Sequence, residues 1–298
     1  MTKNKQPYVS FCILTYKQED YILDALRGAV AQDYDDMEII ISDDCSPDST
    51  FERIQEFVAS YKGDKKIVVN RNDHNLGLVP HYNKVLGELA NGEILVIADG
   101  DDVSYPNRTV DTVDAFKDEN VMLVTGGHRV IDSKGAILET MCADKPSEQM
   151  LSLSCDYLKS KTFMCGDFAP AFRRKVLDWF GPLSNDCQTE DSTLRLRAIL
   201  LGSVVSTNKI FQYYRRHDNN ITSTSNIFRL KTKQIADQYK RDIEKAYQAG
   251  KISTQIYHKL KRKVNYYVCD REFARLRTQN RMWGIARRIV NLYYRITL

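Results

Sequence analysis

Residues 94–102 read Ile-Leu-Val-Ile-Ala-Asp-Gly-Asp-Asp. Five apolar residues in a row, four of them branched aliphatics, are what a strand buried on both faces requires. The run ends abruptly in three carboxylates, Asp99, Asp101 and Asp102, within four positions. Such charges repel, so a fold that gathers them is destabilised unless a cation, a positive side chain or water offsets them. A hard divalent ion on one or two carboxylates, with water and phosphate oxygens filling its other positions, is the usual solution. A plain polar turn after a strand is the alternative, and the rest of the chain decides between them.

Upstream the same pattern recurs. Val9–Leu14 is followed by helical spacing through Ile22, Leu23, Leu26 and Val30, and Met37–Ser42 by a helix from Ser49 with Phe51, Ile54, Phe57 and Val58 on one face. Ile67–Asn70 precedes a helix from Pro80, a residue suited to a first helical turn, and Val121–Thr125 follows the opening stretch. Strand starts at 9, 37, 67, 94 and 121 leave 27 to 30 residues each, room for one strand and one crossover helix. The spacing predicts an α/β fold with a mostly parallel sheet and helices on both faces. Ligands of such sheets sit at the carboxyl ends of the strands. That edge here carries Thr15-Tyr16, Asp43-Asp44, Asn75 and the Asp99 cluster. No glycine-rich phosphate fingerprint follows any strand, so the phosphates of a bound nucleotide would need a metal ion.

Beyond residue 128 the alternation stops. Residues 132–168 read as turn-rich and mixed, and 189–201 as a helix whose start holds Glu190 and Asp191, acids that the helix dipole favours and that capping alone would explain. Val204–Thr207 and Ile210–Tyr214 read as two strands, the second running into Arg215-Arg216-His217. Seven scattered cysteines with no Cys-x-x-Cys pair argue against a disulfide framework or structural zinc, and Cys12, inside a strand, reads as ordinary core. Charged residues are 28% and hydrophobic ones 43%, with no run near the roughly 20 apolar residues that span a bilayer. Met1–Pro7 does not resemble a secretory signal, so a cytoplasmic location is expected. Residues 226–298 hold 18 Lys and Arg against 5 Asp and Glu. The expected division is therefore 1–225 as a catalytic domain and 226–298 as a basic, mainly helical extension.

Taken together, Val-Ser-Phe-Cys-Ile-Leu-Thr-Tyr (9–16), Glu-Ile-Ile-Ile-Ser-Asp-Asp-Cys-Ser-Pro-Asp-Ser-Thr (38–50), Asn75-Leu76-Gly77 with Asn83, Gly92-Glu93 before the Asp99 cluster, and Glu190-Asp191 with Arg195 resemble glycosyltransferase family 2 over roughly residues 8–220. The resemblance implies a GT-A fold, an inverting mechanism, a nucleotide-diphosphate sugar donor with UDP as the expected nucleotide, and a divalent metal, Mn or Mg. Thr15 and Tyr16 would lie against base and ribose, Asp44 would accept from the base, and Asp99 would approach the ribose and the metal's waters. Asp101 would ligate the metal, His217 would complete that site, and Asp191 would be the general base. Processive members carry Gln-x-x-Arg-Trp and membrane helices. Here Gln212-Tyr213-Tyr214-Arg215 is followed by Arg216 and no span exists, which favours transfer of one sugar.

The expected acceptor is a saccharide or lipid-linked saccharide of bacterial surface polysaccharide or glycolipid synthesis, and its identity is unreadable. A sugar-nucleotide pyrophosphorylase would need a glycine- and lysine-rich loop where Thr15-Tyr16-Lys17-Gln18 stands. A nucleic-acid binder acting through the basic tail is opposed by the acidic edge. Ile285, Ile289, Leu292 and Ile296 recur on one helical face near Trp283, Tyr293 and Tyr294, with Arg287, Arg288 and Arg295 around them. That face suits a peripheral contact with the inner membrane surface, packing on the acidic body, or a homodimer contact.

Overall fold

The computed structural model describes residues 6–141, 148–153, 155–160, 162–163, 168–218 and 231–277. Three units of strand and helix open the chain: β1 (Val9–Thr15) and α1 (Ile22–Val30), β2 (Met37–Asp43) and α2 (Thr50–Ser60), β3 (Lys66–Arg71) and α3 (Leu78–Lys84). The last helix continues into a π-helical turn, Val85–Leu89. β4 (Ile94–Asp99), the short β5 (Val103–Ser104), α4 (Arg108–Ala115) and β6 (Val121–Ile131) follow. Then come β7 (Ile137–Met141), β8 (Gln149–Leu151), α5 (Cys155–Lys159), β9 (Phe168–Arg173), α6 (Arg174–Phe180), α7 (Asp191–Leu201) and β10 (Ser203–Arg215). Helices α8 (Thr232–Gln248) and α9 (Thr254–Arg277) complete the described chain.

The strands form one curled sheet in the order β3-β2-β1-β4-β9-β6-β10-β5, with β7 beside β6 and β8 beside β10. The first four strands are parallel, as their spacing predicts. β9 is antiparallel to both β4 and β6 and sits in the middle of the sheet. It starts at Phe168, the last residue of the stretch that reads as turn-rich, and no strand is expected there, because Phe-Ala-Pro-Ala-Phe-Arg is short and interrupted by proline. The two strands expected at 204–207 and 210–214 are a single β10, whose register against β6 shifts between Ser206 and Ile210. A bulge of this kind breaks the apolar alternation without ending the strand.

Alternation within β1 sorts the core. Val9, Phe11 and Ile13 face α1, α2 and α4, while Cys12 and Leu14 face α3, α6, α7, α8 and α9. Cys12 is fully buried, and burial drives its thiol pKa far up, so it is core. The second cluster includes Ile235, Tyr239 and Ile243 of α8 and Leu260 and Val264 of α9. The described part of the C-terminal extension thus shares the core of the sheet. The apolar face at 285–296 lies outside the described residues.

Candidate active site

The carboxyl ends of β1, β2 and β4 meet because their registers match: Leu14 pairs with both Ser42 and Asp99. The Thr15 carbonyl accepts the Asp44 N–H at 3.0 Å, and the Leu14 carbonyl accepts the Gly100 N–H at 3.1 Å. Gly100 is required there, since a Cβ would lie 2.7 Å from Thr15 Oγ1 and 2.8 Å from Thr15 Cβ. Thr15 is buried with its hydroxyl unpartnered. Tyr16 is 40% exposed, with the Lys17 ammonium 5.1 Å from its ring centroid.

Asp44 is buried and organises the loop after β3. Its carboxylate accepts from Asn72 Nδ2 at 2.7 Å and from the backbone N–H groups of Leu76 and Gly77 at 2.9 Å each. Gly77 makes this turn at φ 81°, a left-handed conformation that suits glycine. Three of roughly four lone-pair directions on the carboxylate are thereby used.

The Asp99 cluster is divided by its partners. Strand alternation turns Asp99 toward the α7 side, where burial and then the charges of Asp101 and Asp191 raise its pKa to about 7, against the pull of Arg108. Its side chain still meets solvent, so it lies at the bottom of an open cleft. Asp101 Oδ2 is 2.9 Å from His217 Nε2, and the Tyr21 ring lies against that imidazole with centroids 4.8 Å apart. Asp102 turns inward, accepting from Gln212 Nε2 at 2.7 Å and from the Arg215 N–H at 2.9 Å. Burial pushes its carboxyl well above the ordinary range. Arg108, fully buried, donates to Ser104 and to the Ile97 carbonyl, and burial lowers its pKa to about 10. The internal offset expected for clustered carboxylates is thus partly supplied by Arg108 and Gln212.

Arg215 ties the pieces together. It donates to the Asp101 carbonyl at 3.0 Å, pairs with Asp24 at 3.1 Å and lies 4.9 Å from the Tyr21 ring centroid. The end of β10 thereby holds His217 beside Asp101. Across the cleft, Asp191 begins α7. Glu190, just before it, has its carboxyl raised by burial and then by Asp191 and Asp99. Tyr82 of α3 feels the same three acids, and burial first, then Glu190, Asp99 and Asp191, raise its pKa. A cavity of about 300 Å³ between Lys17–Tyr21, Pro47–Asp48 and His217 meets the expected site residues only at His217.

The fold therefore brings Asp99, Asp101 and His217 together, with Asp191 facing them across the cleft, Thr15 beside Gly100 at the end of β1, Asp44 just beyond the end of β2, and Tyr16 at the rim. Sequence reasoning missed Arg108, Arg215 as a tie, Asn72 and Tyr82. Arg108 and Asn72 belong to no motif, and their role depends on contacts distant in sequence. The metal expectation rests on two side chains, since the described residues contain no group of three His, Cys, Asp or Glu placed to hold an ion.

The family described as Glycosyl transferase family 2 matches residues 10–180. Among relatives, WcaA of Escherichia coli (strain K12), named for glycosyl transfer in colanic acid biosynthesis, is 33% identical over 102 residues, 34% of this chain and 35% of that protein. EpsE of Bacillus subtilis (strain 168), also named a glycosyltransferase, is 31% identical over 134 residues, 44% of this chain and 47% of that one. The chain thus spans about a third to a half of the length of these relatives. In structure it is similar to TarS 1–349 of S. aureus in complex with UDP-GlcNAc, with TM-score 0.65 and 18% identity, over 91% of this chain and 74% of that one. It is also similar to the mannosyltransferase PcManGT of Pyrobaculum calidifontis in complex with GDP-Man and Mn2+, with TM-score 0.56 and 17% identity, over 99% and 88%. At these identities the likeness concerns the fold.

Proposed function

Because the chain belongs to glycosyl transferase family 2, we propose that it moves one sugar from a nucleotide-diphosphate donor, UDP-linked, to a hydroxyl of a saccharide or lipid-linked saccharide, with inversion at the anomeric carbon. The observation that carries this reading is the meeting of Asp99, Asp101 and His217 with the separate acid Asp191 across one cleft. Thr15 and Tyr16 receive the base and ribose, and the unpartnered Thr15 hydroxyl is a natural donor to them. Asp44 fixes the Asn72–Gly77 loop and offers its remaining lone pair to the base.

Asp101 and His217 suit a divalent cation, since one carboxylate and one imidazole leave the other positions to water and diphosphate. Burial first and then repulsion from Asp101 and Asp191 raise Asp99, and such an ion would relieve the repulsion. Bound there, Mn or Mg would stabilise the charge that develops on the leaving diphosphate. Asp191 takes the proton of the attacking hydroxyl as the new bond forms, and a single displacement inverts the anomeric carbon. One basic carboxylate is then enough, unlike the paired acids of glycoside hydrolysis.

The pyrophosphorylase reading lacks its glycine- and lysine-rich loop at Thr15-Tyr16-Lys17-Gln18, and the nucleic-acid reading has only the basic surplus of residues 226–298 behind it. Part of the basic surplus is used internally, with Lys245 and Lys263 donating to backbone carbonyls of the body. The remaining cations support a cytoplasmic enzyme resting on the inner membrane face, where a lipid-linked acceptor is presented. No helix among the described residues is long and apolar enough to cross a membrane. The test is a panel of nucleotide sugars, scored by thermal stabilisation with and without Mn or Mg, because a ligand of the folded state raises the melting temperature. A metal-dependent shift with one donor, lost in Asp101→Asn, is expected. No shift with any donor would sink the reading.

A further inference from the structure

Thr189 and Ser192 stand on either side of Glu190-Asp191, and their hydroxyl oxygens are 2.8 Å apart. Tyr239, on α8, donates its phenolic hydrogen to Ser192 Oγ at 2.6 Å, and either hydroxyl of the Thr189–Ser192 pair can donate to the other. The first residue before α7 makes no side-chain cap bond. The turn that carries the acidic pair is held instead by this run of hydroxyls and by Thr193 Oγ1 on the Thr189 carbonyl at 2.9 Å. Tyr239 is itself fixed. It is fully buried, with its ring centroid 4.3 Å from that of Phe163 and 5.7 Å from that of Tyr267 on α9.

The same face of α8 braces the flanking chain. Gln238 Oε1 accepts the Ser184 N–H at 2.9 Å, and Asp242 takes Arg197 through two bonds of 2.8 and 3.1 Å. Lys245 donates to the Trp179 carbonyl at 2.7 Å. Four α8 side chains therefore grip residues 179–197.

We propose that Tyr239 is a positioning residue for sugar transfer, acting through Ser192 and Thr189 to aim Glu190-Asp191 into the cleft. This rests on the reading of Asp191 as base. A proton acceptor must come within about 3 Å of the hydroxyl it serves, and a misplacement of about 1 Å can cost roughly 10²-fold in rate. Asp191 meets the acceptor and not the nucleotide, so loosening it lowers turnover and spares donor affinity.

The experiment compares Tyr239→Phe, Ser192→Ala, their double variant and Asp191→Asn in the full chain. UDP-N-acetylglucosamine with Mn serves as donor, and release of UDP, donor affinity and amide exchange over residues 189–194 are measured. The expected result is turnover lower by about 10-fold in each single variant and no further loss in the double, with donor affinity within about 2-fold. Amide exchange should be faster at 189–194 and unchanged in β1. Unchanged exchange in both single variants, or effects that multiply in the double, overturns the proposal. Should Tyr239→Phe lower the melting temperature broadly, Ser192→Ala, which leaves the aromatic packing alone, decides. Normal turnover in Asp191→Asn would instead strike the reading of the base, and the exchange data would still test the hydroxyl tie.

Discussion

Asp101 and Asp191 are both aspartates at element ends, and their surroundings separate their tasks. Asp101 is paired with an imidazole, whereas Asp191 faces other acids. Asp191→Asn keeps size and polarity but cannot take a proton, so transfer should fall by roughly 10²-fold or more with donor affinity nearly unchanged. A loss found in Glu190→Gln alone would move the role to the neighbour. Glu190 supplies a pH test. Burial, Asp191 and Asp99 raise its carboxyl above the unfolded value, so the native state holds the proton more tightly. Stability is then lost as pH rises from about 4.3, the unfolded value, through the folded one. Glu190→Gln has nothing to ionise, and its melting temperature should exceed that of the parent at about pH 8 by more than at about pH 5. An equal difference at both would show that Glu190 does not titrate in the window its surroundings predict. Gly100→Ala places a methyl against Thr15, so it should both weaken donor binding, measured by thermal shift, and lower the melting temperature of the donor-free protein.

Between elements, α7 and α8 are joined by a buried ion pair. The Arg197 and Asp242 side chains are 1% and 5% exposed, and Gln238 donates to the same carboxylate at 3.0 Å. Removing one partner of a buried pair strands the other, so Asp242→Ala should cost about 3–5 kcal/mol in urea unfolding. Replacing both by apolar residues of similar volume should cost much less. If the single and double changes cost the same, the pair itself is not what holds α7 to α8.

Across the whole molecule, the described part of the extension packs into the core of the sheet. Ending the chain at residue 225 removes Ile235, Tyr239, Ile243, Leu260 and Val264, all fully buried in the cluster that also holds Cys12 and Leu95. At about 1.5–3 kcal/mol per large apolar side chain, that loss rivals the whole 5–15 kcal/mol of a typical domain. The shortened chain should therefore lack a cooperative melting transition by circular dichroism. A sharp melt near that of the full chain would make residues 231–277 an accessory to the fold.

The sequence by itself determined the parallel half of the sheet, the edge where Thr15, Asp44 and Asp99 gather, and the family. Each of these depends on periodicity or on residues a few positions apart, which the chain displays directly. Only the tertiary structure decided that β9 enters the middle of the sheet, that β10 is one bulged strand, and that Asp102 turns inward to Gln212 and Arg215. It also decided that Arg215 binds the Asp101 carbonyl and that α8 grips the start of α7. These pairs lie 47 to 114 residues apart. A hydrogen bond over such a separation depends on how the chain closes on itself, and no local pattern of propensity or charge records it.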